Sequence, residues 1–109
     1  MNERGDLVTV AAKGTYTGKP RAAVIVQSDL FGELASVTLC LITRELNDAH
    51  LLRINVEPTT ENGLRMKSRI MVDKLVTVRR EQIGKTFGSL EHETIVSVDR
   101  SLAVFLGIA

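Results

Sequence analysis

Apolar residues come in short runs broken by turn formers, and the period of the pattern changes only near the C-terminus. Leu7 to Ala12 is apolar and β-branched, and the glycines and proline of Lys13 to Pro20 predict a loop after it. Ala22 to Gln27 is a continuous apolar run, the pattern of a strand buried on both faces, and Ser28 to Gly32 turns the chain. Val37 to Thr43 repeats that pattern. Leu52 to Glu57 alternates strictly, which predicts a strand with one wet face, and Pro58 to Gly63 closes it. Ser68 to Val78 predicts a further strand, with Ile70 and Val72 on one face and Arg69, Met71 and Asp73 on the other. A short helical turn is expected between Arg79 and Gly84. Ile95, Val98, Leu102 and Phe105 then recur at helical spacing, with Ser89 as the expected N-cap, Glu91 and Glu93 near the positive end of the dipole and Gly107 as the expected C-cap. About five strands and a closing helix predict a small, strongly curved antiparallel sheet or barrel with the helix packed on it.

A length of 109 residues, 44% of them hydrophobic, gives room for one domain, expected to span 1–109. No uncharged apolar stretch, Val37 to Thr43 included, approaches the roughly 20 residues that span a bilayer, so no membrane is expected. The first residues carry no apolar export region, so a cytoplasmic location is expected. Cys40 is the single cysteine and lies in an apolar run, where burial raises a thiol's pKa and makes it inert. His50 and His92 are far apart, neither near a cysteine, so both are expected on the surface and no metal is expected. The sequence holds no P-loop, dinucleotide fingerprint or nucleophile elbow, so no cofactor is expected either. Four aromatics, Tyr16, Phe31, Phe87 and Phe105, are too few for a multi-base stacking platform.

A formal net charge of +1 hides a local asymmetry, because Arg65 to Arg80 holds six basic residues against one acid, Asp73. Lys13, Lys19 and Arg21 add positive charge with no acid among them. If the two segments meet in space they form a positive surface suited to a phosphate-bearing partner. Solvated strand edges, where cations discourage aggregation, are the other reading of the same residues.

Gly5-Asp6-Leu7-Val8, Gly18-Lys19-Pro20-Arg21 running into Ala22 to Asp29, Thr43 at the end of the third strand, Glu57-Pro58 with Glu61-Asn62-Gly63-Leu64, and Ser68 to Lys74 follow in order along nearly the whole chain. Together they resemble the MazF/PemK (Kid) family of toxins from bacterial toxin–antitoxin pairs. The resemblance implies a mainly β fold with a C-terminal helix, an SH3-like small barrel of the CcdB/MazF type with about five to seven strands. It also implies a homodimer, a cognate antitoxin, and metal-independent, sequence-selective endoribonuclease activity on single-stranded mRNA.

Cleaving RNA without a metal uses the ribose 2′-hydroxyl as nucleophile, so the site must accept its proton, stabilise the charged phosphorus and support the leaving 5′-oxygen. By the resemblance, Arg21 is the transition-state clamp, suited by its permanent charge and forked donors, and Thr43 supplies a hydroxyl to a phosphate oxygen. Asp73 matches an acidic position of the plasmid-borne members and is expected either to accept a proton or to hold an arginine. Those members carry an arginine where this sequence has Met71, and Arg69 on the same strand face is the candidate to replace it. Lys13, Lys19, Ser28 and Arg69 are the expected RNA contacts. Two alternatives stay open: a CcdB-type gyrase poison, although this chain lacks the Trp-Gly-Ile ending those proteins share, and a non-catalytic SH3-like nucleic-acid-binding module.

Overall fold

A computed structural model describes residues 2–11, 19–47 and 51–109. Within them, strands β1 (Asp6–Val10), β2 (Arg21–Ile25), β3 (Ser36–Thr43), β4 (Arg53–Val56), β5 (Ser68–Arg79) and β6 (Ile83–Ser89) precede one helix, α1 (His92–Phe105). The strands form one antiparallel sheet in the order β4-β5-β3-β2-β1-β6. Each apolar run in the sequence became a strand. β6 had not been expected, because Gly84 and Gly88 break up its pattern and read as punctuation. The helical turn expected near Arg79 is a 3-10 turn over Arg80–Gln82.

The sheet stays open, with β4 and β6 as its edges, so the expected barrel is a bent sheet that does not close on itself. The bend is visible in β5. Cys40 of β3 pairs with Leu75 and Ile42 with Ile70, so four residues of β5 (71–74) pass the single residue Leu41. Extra length of this kind turns a strand, and it lets the first part of β5 pair with β4 while the rest follows β3. The gap between the sheet edges is bridged by backbone: the Ser89 N–H donates to the Glu61 carbonyl at 2.9 Å.

Alternation along the strands builds a core on each face. Leu7, Val24, Cys40, Ile42, Ile70 and Val72 belong to one cluster, and Val8, Val10, Ala23, Ile25, Val37 and Leu39 to the other. α1 covers the first with Ile95, Val98 and Leu102. Burying side chains of this size contributes about 2 kcal/mol each. Phe105, expected on the same helix face, is 42% exposed, because the last turn, with Val104 and Leu106, stands out in solvent.

Ser89 is not the N-cap. It ends β6 with its N–H committed to Glu61, so the chain is still extended there and the cap falls on Glu91. Gly107 follows the C-cap Leu106 with a left-handed φ of 76°. Cys40 is fully buried, and burial pushes its thiol up to about 12. His92 is exposed at the start of α1, and His50 lies outside the described residues. Among the described residues no helix is long and apolar enough to cross a membrane, and no group of three or more His, Cys, Asp or Glu could hold a metal ion.

Candidate functional site

The start of β2 and the end of β3 meet β6 and the segment after β4 around a cleft of about 850 Å³. On one wall, Pro20 closes the preceding loop and Arg21 opens β2. The β2–β3 register pairs Ala23 with Leu41, and carried two residues further it sets Arg21 opposite Thr43 on the same face of the sheet. Thr43 Oγ1 accepts the Glu45 N–H at 3.1 Å, which leaves the hydroxyl proton to donate into the cleft.

The opposite wall is composite. Lys85, Thr86 and Phe87 of β6 line it together with Gly63, Leu64, Arg65 and Met66. Three consecutive residues of a regular strand would alternate between faces. Here Leu7 pairs with Gly88, Val8 with Thr86 and Val10 with Ile83, so a register shift lies on each side of Thr86 and re-aims its neighbours. The β4–β5 segment is held by Asn62, which is fully buried. Its Oδ1 accepts the N–H groups of Thr59 and Leu64, each at 3.0 Å, and its Nδ2 donates to the Glu57 carbonyl at 2.9 Å. Gly63 and Gly88 let the two backbones of this wall touch. A Cβ on Gly63, which has φ +67°, would lie 2.3 Å from the Phe87 oxygen, and one on Gly88 would lie 2.2 Å from the Asn62 oxygen.

Arg21, Arg44, Arg65 and Lys85 all line the cleft, and among the described lining residues there is no carboxylate and no imidazole. Four cations along one cleft make it electropositive, which suits an anionic ligand. Backbone and hydroxyl donors beside such cations suit a phosphate oxygen.

The structure therefore brings two of the expected catalytic residues, Arg21 and Thr43, into one cleft. Asp73 does not line it. Its carboxylate is ion-paired with Arg53, with the two side chains only 19% and 10% exposed, and of its two expected roles this pairing fits holding an arginine. Arg69 is buried, opposite Thr43 on one side and Asn55 on the other, and stays behind the lining. Met71 sits opposite Arg53 and is buried. Ser28 spends its hydroxyl capping the 3-10 turn Asp29–Phe31, accepting from the Leu30 N–H at 3.1 Å, and lies away from the cleft lining. Lys19 is exposed beside Pro20, and Lys13 lies outside the described residues. The basic run disperses: Lys67 pairs with Glu57, Arg79 with Glu81, and Arg80 binds the carbonyls of Leu34 and Phe31, while Arg65 reaches the cleft. Arg44 and Lys85 were not foreseen. The first follows Thr43 directly, which was a usable signal; the second depends on a bulge that no hydrophobic period marks.

The family described as PemK-like, MazF-like toxin of type II toxin-antitoxin system matches residues 3–106. A probable endoribonuclease MazF of Mycolicibacterium smegmatis is 49% identical over 106 residues, covering 97% of this chain and 97% of that protein. Among solved structures, the Mycobacterium tuberculosis toxin MazF-mt6 superposes with a TM-score of 0.80 at 17% identity, covering 95% of this chain and 98% of that one. A MazE-MazF crystal structure from Deinococcus radiodurans gives 0.80 at 14% identity, covering 99% and 97% respectively. At those identities the structures speak for the fold.

Proposed function

The chain belongs to the PemK-like, MazF-like toxins of type II toxin-antitoxin systems, and on that premise we propose that it is a metal-independent endoribonuclease that cuts single-stranded mRNA at the Arg21–Thr43 cleft. The observation that carries this reading is a forked cation and a hydroxyl lining one cleft whose described lining holds four cations and no acid. The 2′-hydroxyl attacks phosphorus and gives its proton to water, and the bond to the 5′-oxygen breaks as that oxygen takes a proton from water, leaving a 2′,3′-cyclic phosphate and a 5′-hydroxyl. Arg21 holds the non-bridging oxygens as negative charge builds there, and Thr43 donates to one of them. Asp73 acts at a distance, fixing Arg53 and with it the β4–β5 pairing behind Thr43.

The same reading makes residues 1–109 one toxin domain working in the cytoplasm as a homodimer. The neutralising partner is an antitoxin with an acidic segment that competes with RNA for the cleft; related solved structures include an endoribonuclease in complex with its cognate antitoxin. The test is incubation of the purified protein with a long RNA in EDTA. Discrete cuts with cyclic-phosphate ends are expected, and replacing the 2′-hydroxyl at a cut site with hydrogen should abolish the cut there. Cutting of that deoxy substrate at the normal rate, or no cutting of any RNA, would overturn the proposal.

A further inference from the structure

The wall formed by β6 and the β4–β5 segment faces Arg21 and Thr43 across the cleft, yet the chemistry above uses neither of its cations, Arg65 and Lys85. We infer that Arg65 and Lys85 form a second anion clamp, which holds a phosphate next to the scissile one and so sets which phosphodiester sits against Arg21. The inference rests on the RNA-cleaving reading and deepens it.

Placement of Lys85 is the first support. On a regular strand Lys85 and Phe87 would point away from the face that Thr86 occupies, but the register shifts on either side of Thr86 bring all three to the cleft. The Lys85 backbone N–H donates to Thr9 Oγ1 at 2.9 Å, which ties the bulge to the neighbouring strand. Bulges that redirect a side chain toward a cleft are a costly feature for mere solvation of a lysine.

Rigidity is the second support. Arg65 follows a segment pinned by the three hydrogen bonds of buried Asn62 and by Thr59 Oγ1, which donates to Glu91 Oε1 at 2.7 Å. Gly63 and Gly88 lock that segment against β6 by direct backbone approach. The two cations therefore ride on one preorganised unit, and little ordering is lost when they meet an anion. The same wall carries Leu64, Met66 and Phe87, an apolar surface on which the sugar and base joining two phosphates can rest.

Phosphate scanning tests the clamp. The probe is a short RNA carrying 2′-deoxy at its cut site, so that binding is read without cleavage, and made as a set with one phosphate at a time replaced by neutral methylphosphonate. Lys85→Gln should weaken binding of the all-phosphate probe about tenfold and lower the slope of log affinity against log salt by about one. One methylphosphonate beside the cut should weaken wild type equally and have no further effect in Lys85→Gln. Independent losses at every position would overturn the clamp, as would a Lys85→Gln variant that binds like wild type. Asn62→Ala should mimic part of the loss by loosening the wall, with a circular dichroism melt reporting whether the variant is folded. Failure of the cleavage reading itself shows separately, as an uncut all-ribose RNA with wild-type protein.

Discussion

Two sets of arginines in this small protein sit in different surroundings. The Arg53 side chain is largely buried against the sheet and answered by Asp73, and Arg4 is answered by Asp99, by the Val26 carbonyl at 2.9 Å from its Nε, and by Asp29, whose carboxylate takes its backbone N–H at 2.7 Å. Around the cleft, Arg21, Arg44 and Arg65 converge with Lys85 on a space whose described lining has no carboxylate. A cation beside the core must be neutralised in place, because a buried uncompensated charge is strongly destabilising. Cations gathered along one cleft make it electropositive and favour an anionic complex. Position in the fold thus distinguishes arginines tied into the sheet and helix from arginines gathered along a cleft, although the chain writes them with the same letter.

Arg21→Ala should give the largest effect. Cleavage should fall by roughly 10²- to 10³-fold, as for loss of a transition-state donor, while the melting temperature stays near wild type. Thr43→Val, which keeps the shape and removes the hydroxyl, should fall in the same direction. Rate measurements beside thermal melts check both; a fully active Arg21→Ala would erase the distinction drawn above. Arg53 and Asp73 should behave in reverse. Asp73→Ala leaves Arg53 buried without its carboxylate and should cost about 3 kcal/mol of stability in a denaturant titration, whereas the double change Arg53→Met with Asp73→Leu should restore most of it. If the single change lowered cleavage with no loss of stability, Asp73 would have a chemical role as well as a positional one.

The smallest effect concerns Cys40. Its thiol is pushed from 9.0 to about 12, first by burial and then by the nearby Asp73 carboxylate. In the unfolded chain the thiol ionises at its ordinary value, so between those two pH values the unfolded state binds fewer protons and stability falls as pH rises. Below that window the contribution is complete. A thiol-specific dye at pH 8 should leave the folded protein unlabelled and label it in denaturant; rapid labelling of folded protein would mean that the core opens beside Asp73.

Much of the fold was legible from alternation alone. The strands around Val8, Val24, Leu39, Ile54 and Ile70, and the helix through Ile95, Val98 and Leu102, follow from periods of two and of three to four, since apolar side chains recurring at those spacings bury only in those conformations. Helix caps were read less well, because Ser89 is a good N-cap by residue type but its backbone had already been taken by Glu61 across the sheet. The site divides in the same way. Arg21 and Thr43 stood out by their place in a family pattern at strand ends, and Asp73 stood out as the lone acid in a basic run.

The set of elements, the two apolar faces and the residues of one cleft wall were readable along the chain, because each depends on interactions within a strand or on residues already ordered in sequence. Tertiary structure alone decided the other wall. Phe87 and Lys85 reach the cleft through bulges set by pairing with β1, Gly63 and Gly88 take their meaning from contacts across the open edge of the sheet, and Asp73 is drawn off by Arg53, 20 positions away. Those outcomes depend on which strands become neighbours and in what register, and no local period encodes a register between segments distant in the chain.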